Sequence, residues 1–161
     1  DSIPLLKGIT IKMDVSRYND SIRNKTYIGR ISENKKSSFV SSKKEENYVI
    51  AKVNNLGDFV IKIDSIKPNI SVIDISENQW ISNRKNLSIK ISDNESGVKN
   101  YRGTINDKWI LLEYNPMKGI LSYDFNDNVN RDDAENVLEI KIEDNVGNEK
   151  KLIKTFYRKI K

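Results

Sequence analysis

The chain has 161 residues, of which 32% are charged and 37% are hydrophobic, with a net charge of +5. This composition indicates one or two small globular domains, and no apolar run reaches the roughly 20 residues of a membrane helix. The chain has neither cysteine nor histidine, which excludes disulfides, thiolate or histidine zinc sites and histidine-dependent catalytic triads. The composition stays compatible with catalysis by a pair of carboxylates and with a calcium site built from oxygen ligands.

The positive charge is typical of nucleic-acid binders, but the pattern of the lysines favours solvated strand faces. Lys62, Lys90, Lys141 and Lys154 occupy alternating strand positions, and no basic stripe is interleaved with stacking aromatics. We therefore expect no nucleic-acid partner, no membrane insertion and no cofactor. The sequence begins at Asp1 and shows no signal peptide, so we expect it to be part of a longer protein.

The first part of the chain predicts short strands, because β-branched and aromatic residues alternate with polar ones. They fall at residues 8–14, 26–32, 38–41, 48–53 and 58–64. The Asn-Asn-Leu-Gly string at 54–57 predicts a hairpin turn between the last two. Pro68 then predicts an extended linker. We therefore divide the chain into a small or incomplete β-domain at 1–64, a linker at 65–69 and a second domain at 70–161.

The second part predicts about seven short strands, a number typical of an immunoglobulin-like sandwich. They fall at residues 70–75, 86–92, 98–105, 108–114, 120–125, 137–143 and 150–158. Asn106-Asp107 predicts a two-residue hairpin turn. The phrase Ile-Lys-Ile followed by an acidic or polar residue and Asp-Asn occurs at 89–94 and 140–145, each time before a glycine. The predicted fold is therefore all-β, with tandem antiparallel β-sandwich modules, the second immunoglobulin-like.

Several strings of the chain resemble one known family. They are Gly57-x-Phe59-x-Ile61, Gln79-Trp80-Ile81-Ser82, Ser96-Gly97-Val98-Lys99-x-Tyr101-Arg102, Lys108-Trp109-Ile110-Leu111-x-Glu113-Tyr114 and Asp144-Asn145-x-Gly147-Asn148. Together they resemble the C-terminal, non-catalytic β-sandwich region of Bacteroidetes-type lysostaphin/LytM-like zinc metalloendopeptidases, which cleave peptidoglycan in the cell envelope.

This resemblance implies a location in the cell envelope or outside it, and a role in positioning or spacing an enzyme. The family's catalytic domain holds zinc with two histidines and an aspartate. The present chain has no histidine, so no catalytic residue carries over and we expect the chain not to be an enzyme.

Aromatic residues are the candidate binding residues, because their rings can stack on sugars while their polar tips stay hydrated. The candidates are Trp80, Tyr101, Trp109 and Tyr114, with Tyr123 nearby. The interpretation we favour from sequence is that these rings pack in or around the core. In that case Trp109→Ala would cost about 3–5 kcal/mol of stability.

Acidic residues offer two further hypotheses. Asp93, Glu95, Asp124, Asp127 and Asp144 could supply oxygens to Ca²⁺, or each could cap its own turn. Glu113 and Asp124 could form the carboxylate pair of a hydrolase.

The leading hypothesis is a non-catalytic structural or interaction module of an envelope peptidoglycan endopeptidase. The alternatives are a glycan- or peptidoglycan-binding module with exposed aromatics, and a carboxylate-based hydrolase. The partner would be cell-wall glycan or another envelope protein. Exposed tryptophans would favour glycan binding, and buried ones would count against it.

Overall fold

The computed structural model describes residues 3–126 and 134–159, and in this part nearly all of the regular secondary structure is β-strand. The elements are β1 (Pro4–Asp14), α1 (Asp20–Asn24), β2 (Thr26–Ile31), β3 (Ser37–Ser41), β4 (Lys44–Glu45), β5 (Tyr48–Asn55), β6 (Asp58–Ile63), β7 (Asn69–Val72), β8 (Gln79–Trp80), β9 (Asn86–Ser92), β10 (Val98–Ile105), β11 (Lys108–Ile110), β12 (Glu113–Asn115), β13 (Ile120–Asp124), β14 (Glu135–Asp144) and β15 (Glu149–Tyr157). In the described residues the helix spans five residues, and no helix is long and apolar enough to cross a bilayer.

The chain forms two compact units. The first contains the residues up to Ile66 together with Asn94–Gly97 and Asp144–Asn148, and the second contains Lys67–Asp93, Val98–Glu143 and the residues from Glu149 onward.

In the first unit, the described strands form two sheets, with the orders β1-β5-β4 and β3-β2-β6. Their inner faces bury a small core of Val15, Ile28, Val49, Ala51 and Val53. This core depends on the alternation in β5, where every second side chain points inward.

The predicted hairpin at 54–57 is wrong. β5 pairs with β1 and β4, whereas the next strand, β6, pairs with β2. The turn therefore carries the chain from one sheet to the other. The amide of Leu56 donates to the carbonyl of Ile3 at 2.8 Å, and Arg30 Nη2 donates to the Leu56 carbonyl at 2.9 Å. The Asn-Asn-Leu-Gly string predicts a reversal of the chain, but it does not specify which strand the chain joins afterwards.

In the second unit, the described strands form a five-stranded sheet of order β11-β10-β14-β15-β8 and a four-stranded sheet of order β12-β13-β9-β7. The pairings of β10 with β11, of β14 with β15 and of all neighbours in the four-stranded sheet are antiparallel, whereas β8 pairs in parallel with β15. Isoleucine and leucine side chains of β9 and β14 fill the core between the sheets. The two copies of the repeated phrase lie at the ends of these strands. The predicted all-β fold with tandem antiparallel sandwiches, the second immunoglobulin-like, is confirmed.

The predicted strand at 108–114 is in fact two strands in different sheets. β11 pairs with β10, whereas β12 pairs with β13. Ile110 and Leu112 are both buried, while Trp109 and Leu111 are exposed. This alternation continues through the crossing between sheets, so it is indistinguishable from that of one longer strand.

Candidate functional site

Two faces of the five-stranded sheet are distinguished by alternation along β14. Leu138 and Ile140 are completely buried, whereas Val137 is 39% exposed and Glu139 is partly exposed. Because successive side chains of a strand point to opposite faces, Val137 and Glu139 belong to the outer face of the sheet.

Trp80 lies on this outer face, at the β8 edge of the sheet. It is paired in register with Tyr157 of β15, and their rings stack with centroids 5.3 Å apart and an interplanar angle of 28°. The indole is 57% exposed. The amide of Ile81 donates to the Tyr157 carbonyl at 2.8 Å and fixes the end of β8.

Tyr157 also connects this edge to the next strand. Its hydroxyl donates to Glu135 Oε2 at 2.9 Å, and the two residues are register partners. This hydrogen bond raises the pKa of Tyr157, because losing the proton would place two negative oxygens side by side. A stacked ring pair therefore lies beside an exposed carboxylate.

Trp109 lies on the same outer face, at the β11 edge. The Asn106-Asp107 turn has φ angles of 49° and 61°, which asparagine and aspartate tolerate better than most residues. The predicted two-residue hairpin is thus confirmed, and it places Trp109 opposite Thr104 of β10. The indole is 56% exposed.

Apolar and charged side chains lie between the two tryptophans. Ile153 is 57% exposed and is the register partner of Glu139. Lys151 pairs with Glu139 at 2.7 Å. We call the surface formed by five outward side chains the aromatic face; they are Trp80, Tyr157, Ile153, Val137 and Trp109.

We expected the rings to pack in or around the core; neither tryptophan lies in the core, since both are more than half exposed. Ile110, directly beside Trp109, supplies the buried side chain of β11 instead. Tyr123 does fill the core: it is 2% exposed and meets the Phe125 ring edge-on at 5.0 Å.

Tyr101 and Tyr114 form a separate pair. Tyr101 lies on β10 and Tyr114 on β12, so they come from different sheets, and their rings lie 5.6 Å apart at 49°. They are 38% and 39% exposed. The structure brings Tyr101 and Tyr114 together, whereas Trp80 and Trp109 lie at opposite edges of one sheet face. The role of all four residues in binding stays a prediction. Sequence reasoning missed Tyr157, although the alternation of Ile153, Thr155 and Tyr157 along β15 was a usable signal.

The buried acid of the first unit holds a turn. Asp144 Oδ1 accepts from the amides of Val146 and Asn148 at 2.9 and 2.8 Å, and Oδ2 accepts from Asn148 Nδ2 at 2.6 Å. Its carboxylate lies within 4.8 Å of that of Asp64, a residue that the sequence did not suggest. Asp64 in turn accepts from the amides of Ile66 and Ser96, each at 3.0 Å.

The remaining predicted acids are placed as follows. Glu95 forms an ion pair with Lys62 and accepts from the Tyr27 hydroxyl at 3.2 Å. Asp124 accepts from the amide of Asn126 at 2.9 Å, and Asp127 lies outside the described residues. Asp93 is partly buried just after β9.

Glu113 and Asp124 lie near each other on the four-stranded sheet. Glu113 is the register partner of Ser122, two residues before Asp124, and both acids are exposed. Asp124 and Asp144 each accept hydrogen bonds from backbone amides of their own turns, as the turn-capping hypothesis predicts.

Comparisons with known proteins find a family model and solved structures that are similar to this chain. Residues 1–64 match the family model of the Zu5-like domain, which is less than half of the chain. Among solved structures, the fibronectin(III)-like modules of Clostridium thermocellum CbhA are similar at a TM-score of 0.44 and 11% identity, over 98% of this chain and 88% of that chain. No curated protein sequence matches the chain.

Proposed function

We propose that the chain is a non-catalytic interaction module that binds cell-wall glycan through the aromatic face. The exposure of both Trp80 and Trp109 carries this proposal. Burying a tryptophan is strongly favourable, so an indole left more than half in water contributes little of its potential to folding. Exposed apolar groups gathered on one face are a feature of binding surfaces.

The chemistry of the aromatic face fits a carbohydrate. Sugar rings present C–H faces that pack on indole and phenol rings, and hydroxyls that need hydrogen-bond partners. The stacked Trp80–Tyr157 pair supplies aromatic rings on which the C–H faces can pack, and the carboxylate of Glu135 beside it supplies an acceptor for the hydroxyls. The ion pair of Lys151 with Glu139 offers further donors and acceptors between the tryptophans.

We further propose that the module serves an envelope peptidoglycan endopeptidase, which it positions on or spaces from the wall. The family resemblance of the strings around Trp80 and Trp109 supports this, since those strings supply the two tryptophans of the aromatic face. A second candidate is a docking surface for another envelope protein, which the apolar side chains of Val137 and Ile153 favour, at 39% and 57% exposure.

Retention on purified insoluble peptidoglycan, at low and at high salt, tests the proposed function. Two salt concentrations are needed because a protein of net charge +5 adsorbs to anionic polymers by an attraction that salt screens. We expect retention that survives high salt and that is lost in the Trp80→Ala/Trp109→Ala double variant. Tyr48→Ala is the matched control, because Tyr48 is a 40% exposed aromatic of the first unit.

Retention of the double variant at the wild-type level would exclude the aromatic face as the binding site. Retention of the wild type only at low salt would mean that nonspecific charge attraction explains the binding, and it would contradict glycan recognition. Far-ultraviolet circular dichroism would establish that each variant keeps its strand content.

A further inference from the structure

We propose that the aromatic face has two stacking positions that one glycan chain occupies together, by running across the strands from Trp80 to Trp109. This inference rests on the proposed glycan-binding function and specifies its ligand. The two positions are the Trp80–Tyr157 pair at the β8 edge and Trp109 at the β11 edge.

The spacing of the strands sets the length of the ligand. The order β11-β10-β14-β15-β8 places four strand-to-strand steps between the two edges. At about 4.8 Å per step, the two edges lie roughly 19 Å apart across the sheet, and this is the smallest separation that the two tryptophans can have. A disaccharide is too short to reach both positions, whereas a chain of several sugars can.

The side chains between the two positions suit a continuous ligand. Ile153, 57% exposed, offers an apolar surface next to Glu139, its register partner. Lys151 pairs with Glu139 at 2.7 Å. Sugar hydroxyls crossing the middle of the sheet would therefore meet charged donors and acceptors as well as apolar surface.

The twist of the sheet sets the shape of the ligand. Neighbouring strands of a sheet rotate by about 20–25°, so the sheet surface turns by roughly 90° over the four steps between its edges. A single chain can follow this rotation, but the flat face of a crystalline glycan cannot contact both positions. The aromatic face should thus select separate glycan strands over crystalline surfaces.

Isothermal titration with peptide-free glycan strands from peptidoglycan tests this inference. One sample is the disaccharide repeat, and the other is a size-fractionated strand long enough to span both positions. We expect the disaccharide to bind weakly at two positions per protein. We expect the long strand to bind as one molecule per protein, about a hundredfold more tightly, because its second contact is intramolecular.

Single variants separate the possible outcomes. Trp80→Ala and Trp109→Ala should each bring the long strand down to the disaccharide's affinity, and each should reduce the disaccharide stoichiometry from two to one. Trp80→Tyr keeps a stacking ring and should retain most of the higher affinity for the long strand. This variant serves as a control for a folding defect caused by substitution at position 80. Tyr48→Ala should change neither value.

Equal affinity for the long strand and the disaccharide would overturn the two-position inference, yet leave glycan binding intact. Binding of neither sugar would overturn the proposed function itself. Crystalline chitin provides a further check, on which the wild type should be retained no better than either single variant. Stronger retention of the wild type than of the single variants on crystalline chitin would contradict the inference that the sheet twist prevents binding to flat glycan surfaces.

Discussion

Tyr157 and Glu135 face each other across β15 and β14 and share a hydrogen bond of 2.9 Å. Because the carboxylate accepts the phenolic proton, the pKa of Tyr157 is raised. Replacing Glu135 with glutamine keeps an acceptor but removes the negative charge. We expect Glu135→Gln to lower the pKa of Tyr157 toward its ordinary value, which ultraviolet titration of the phenolate measures. An unchanged pKa would mean that the pair is not formed in solution.

Stability at alkaline pH should fall, because two tyrosines have raised pKa values. Hydrogen bonding to Glu135 raises that of Tyr157, and burial raises that of Tyr27. The folded protein then holds these protons more tightly than the unfolded chain does, so the stabilisation is complete below the unfolded value of about 10 and is lost as pH rises through the folded values. Urea unfolding at neutral pH and above pH 10 would measure this loss. Tyr27→Phe and Glu135→Gln should each reduce the pH dependence.

Trp109→Ala should cost about 1 kcal/mol or less, since the side chain is 56% exposed and surface changes are small. Tyr123→Ala in the same unit should cost about 3–5 kcal/mol, because the ring is buried and its loss leaves a cavity. Chemical denaturation of both variants would compare them directly. A cost for Trp109→Ala equal to that for Tyr123→Ala would place the indole in the core.

Gly103→Ala should destabilise the second unit by about 1–3 kcal/mol through overpacking. A Cβ at this position would lie 2.7 Å from Leu112 Cδ1 and 3.1 Å from both Ile110 Cγ1 and Ile140 Cδ1. Three side chains converge there, so moving one does not make room. A double-mutant cycle with Leu112→Ala would check the cause, because the two changes should cost less together than the sum of their separate effects.

Asp144→Ala should cost at least about 2 kcal/mol, because it leaves the buried amides of Val146 and Asn148 without acceptors. Asp124→Ala is the control, since that carboxylate is exposed and accepts from one amide, that of Asn126. We expect the control to lose under about 1 kcal/mol. Thermal unfolding of the two variants would reveal whether the buried turn is the more costly to break.

The strands were predictable where apolar and polar residues alternate regularly and a polar turn lies at each end. The predicted bounds of β9 and β10 agree with the structure. In β9, leucine and isoleucine alternate with polar residues, and β10 ends directly before the polar turn at Asn106-Asp107. β8 was not predictable, since two residues are too few to show a period. The split between β11 and β12 was hidden because Ile110 and Leu112 keep alternating while their strands belong to different sheets.

The candidate site was predictable in its residue types but not in its placement. Trp80 and Trp109 stand out by composition, yet large aromatics are usually buried, and a single sequence does not show which sheet face is covered. Tyr157 joins Trp80 only because β8 pairs in parallel with a strand more than seventy residues away. Pairing over such a distance leaves no local signal.

The shortness of β8 has a consequence for the motions of the molecule. This strand contains two residues, and it is held at the sheet edge by the amides of Asn78 and Ile81, which donate to the carbonyls of Thr155 and Tyr157. Edge segments with few backbone bonds open locally at a smaller free energy than the whole fold. The amide protons of Asn78 and Ile81 should therefore exchange with deuterium far sooner than those of β14, and a ligand stacked on Trp80 should slow them.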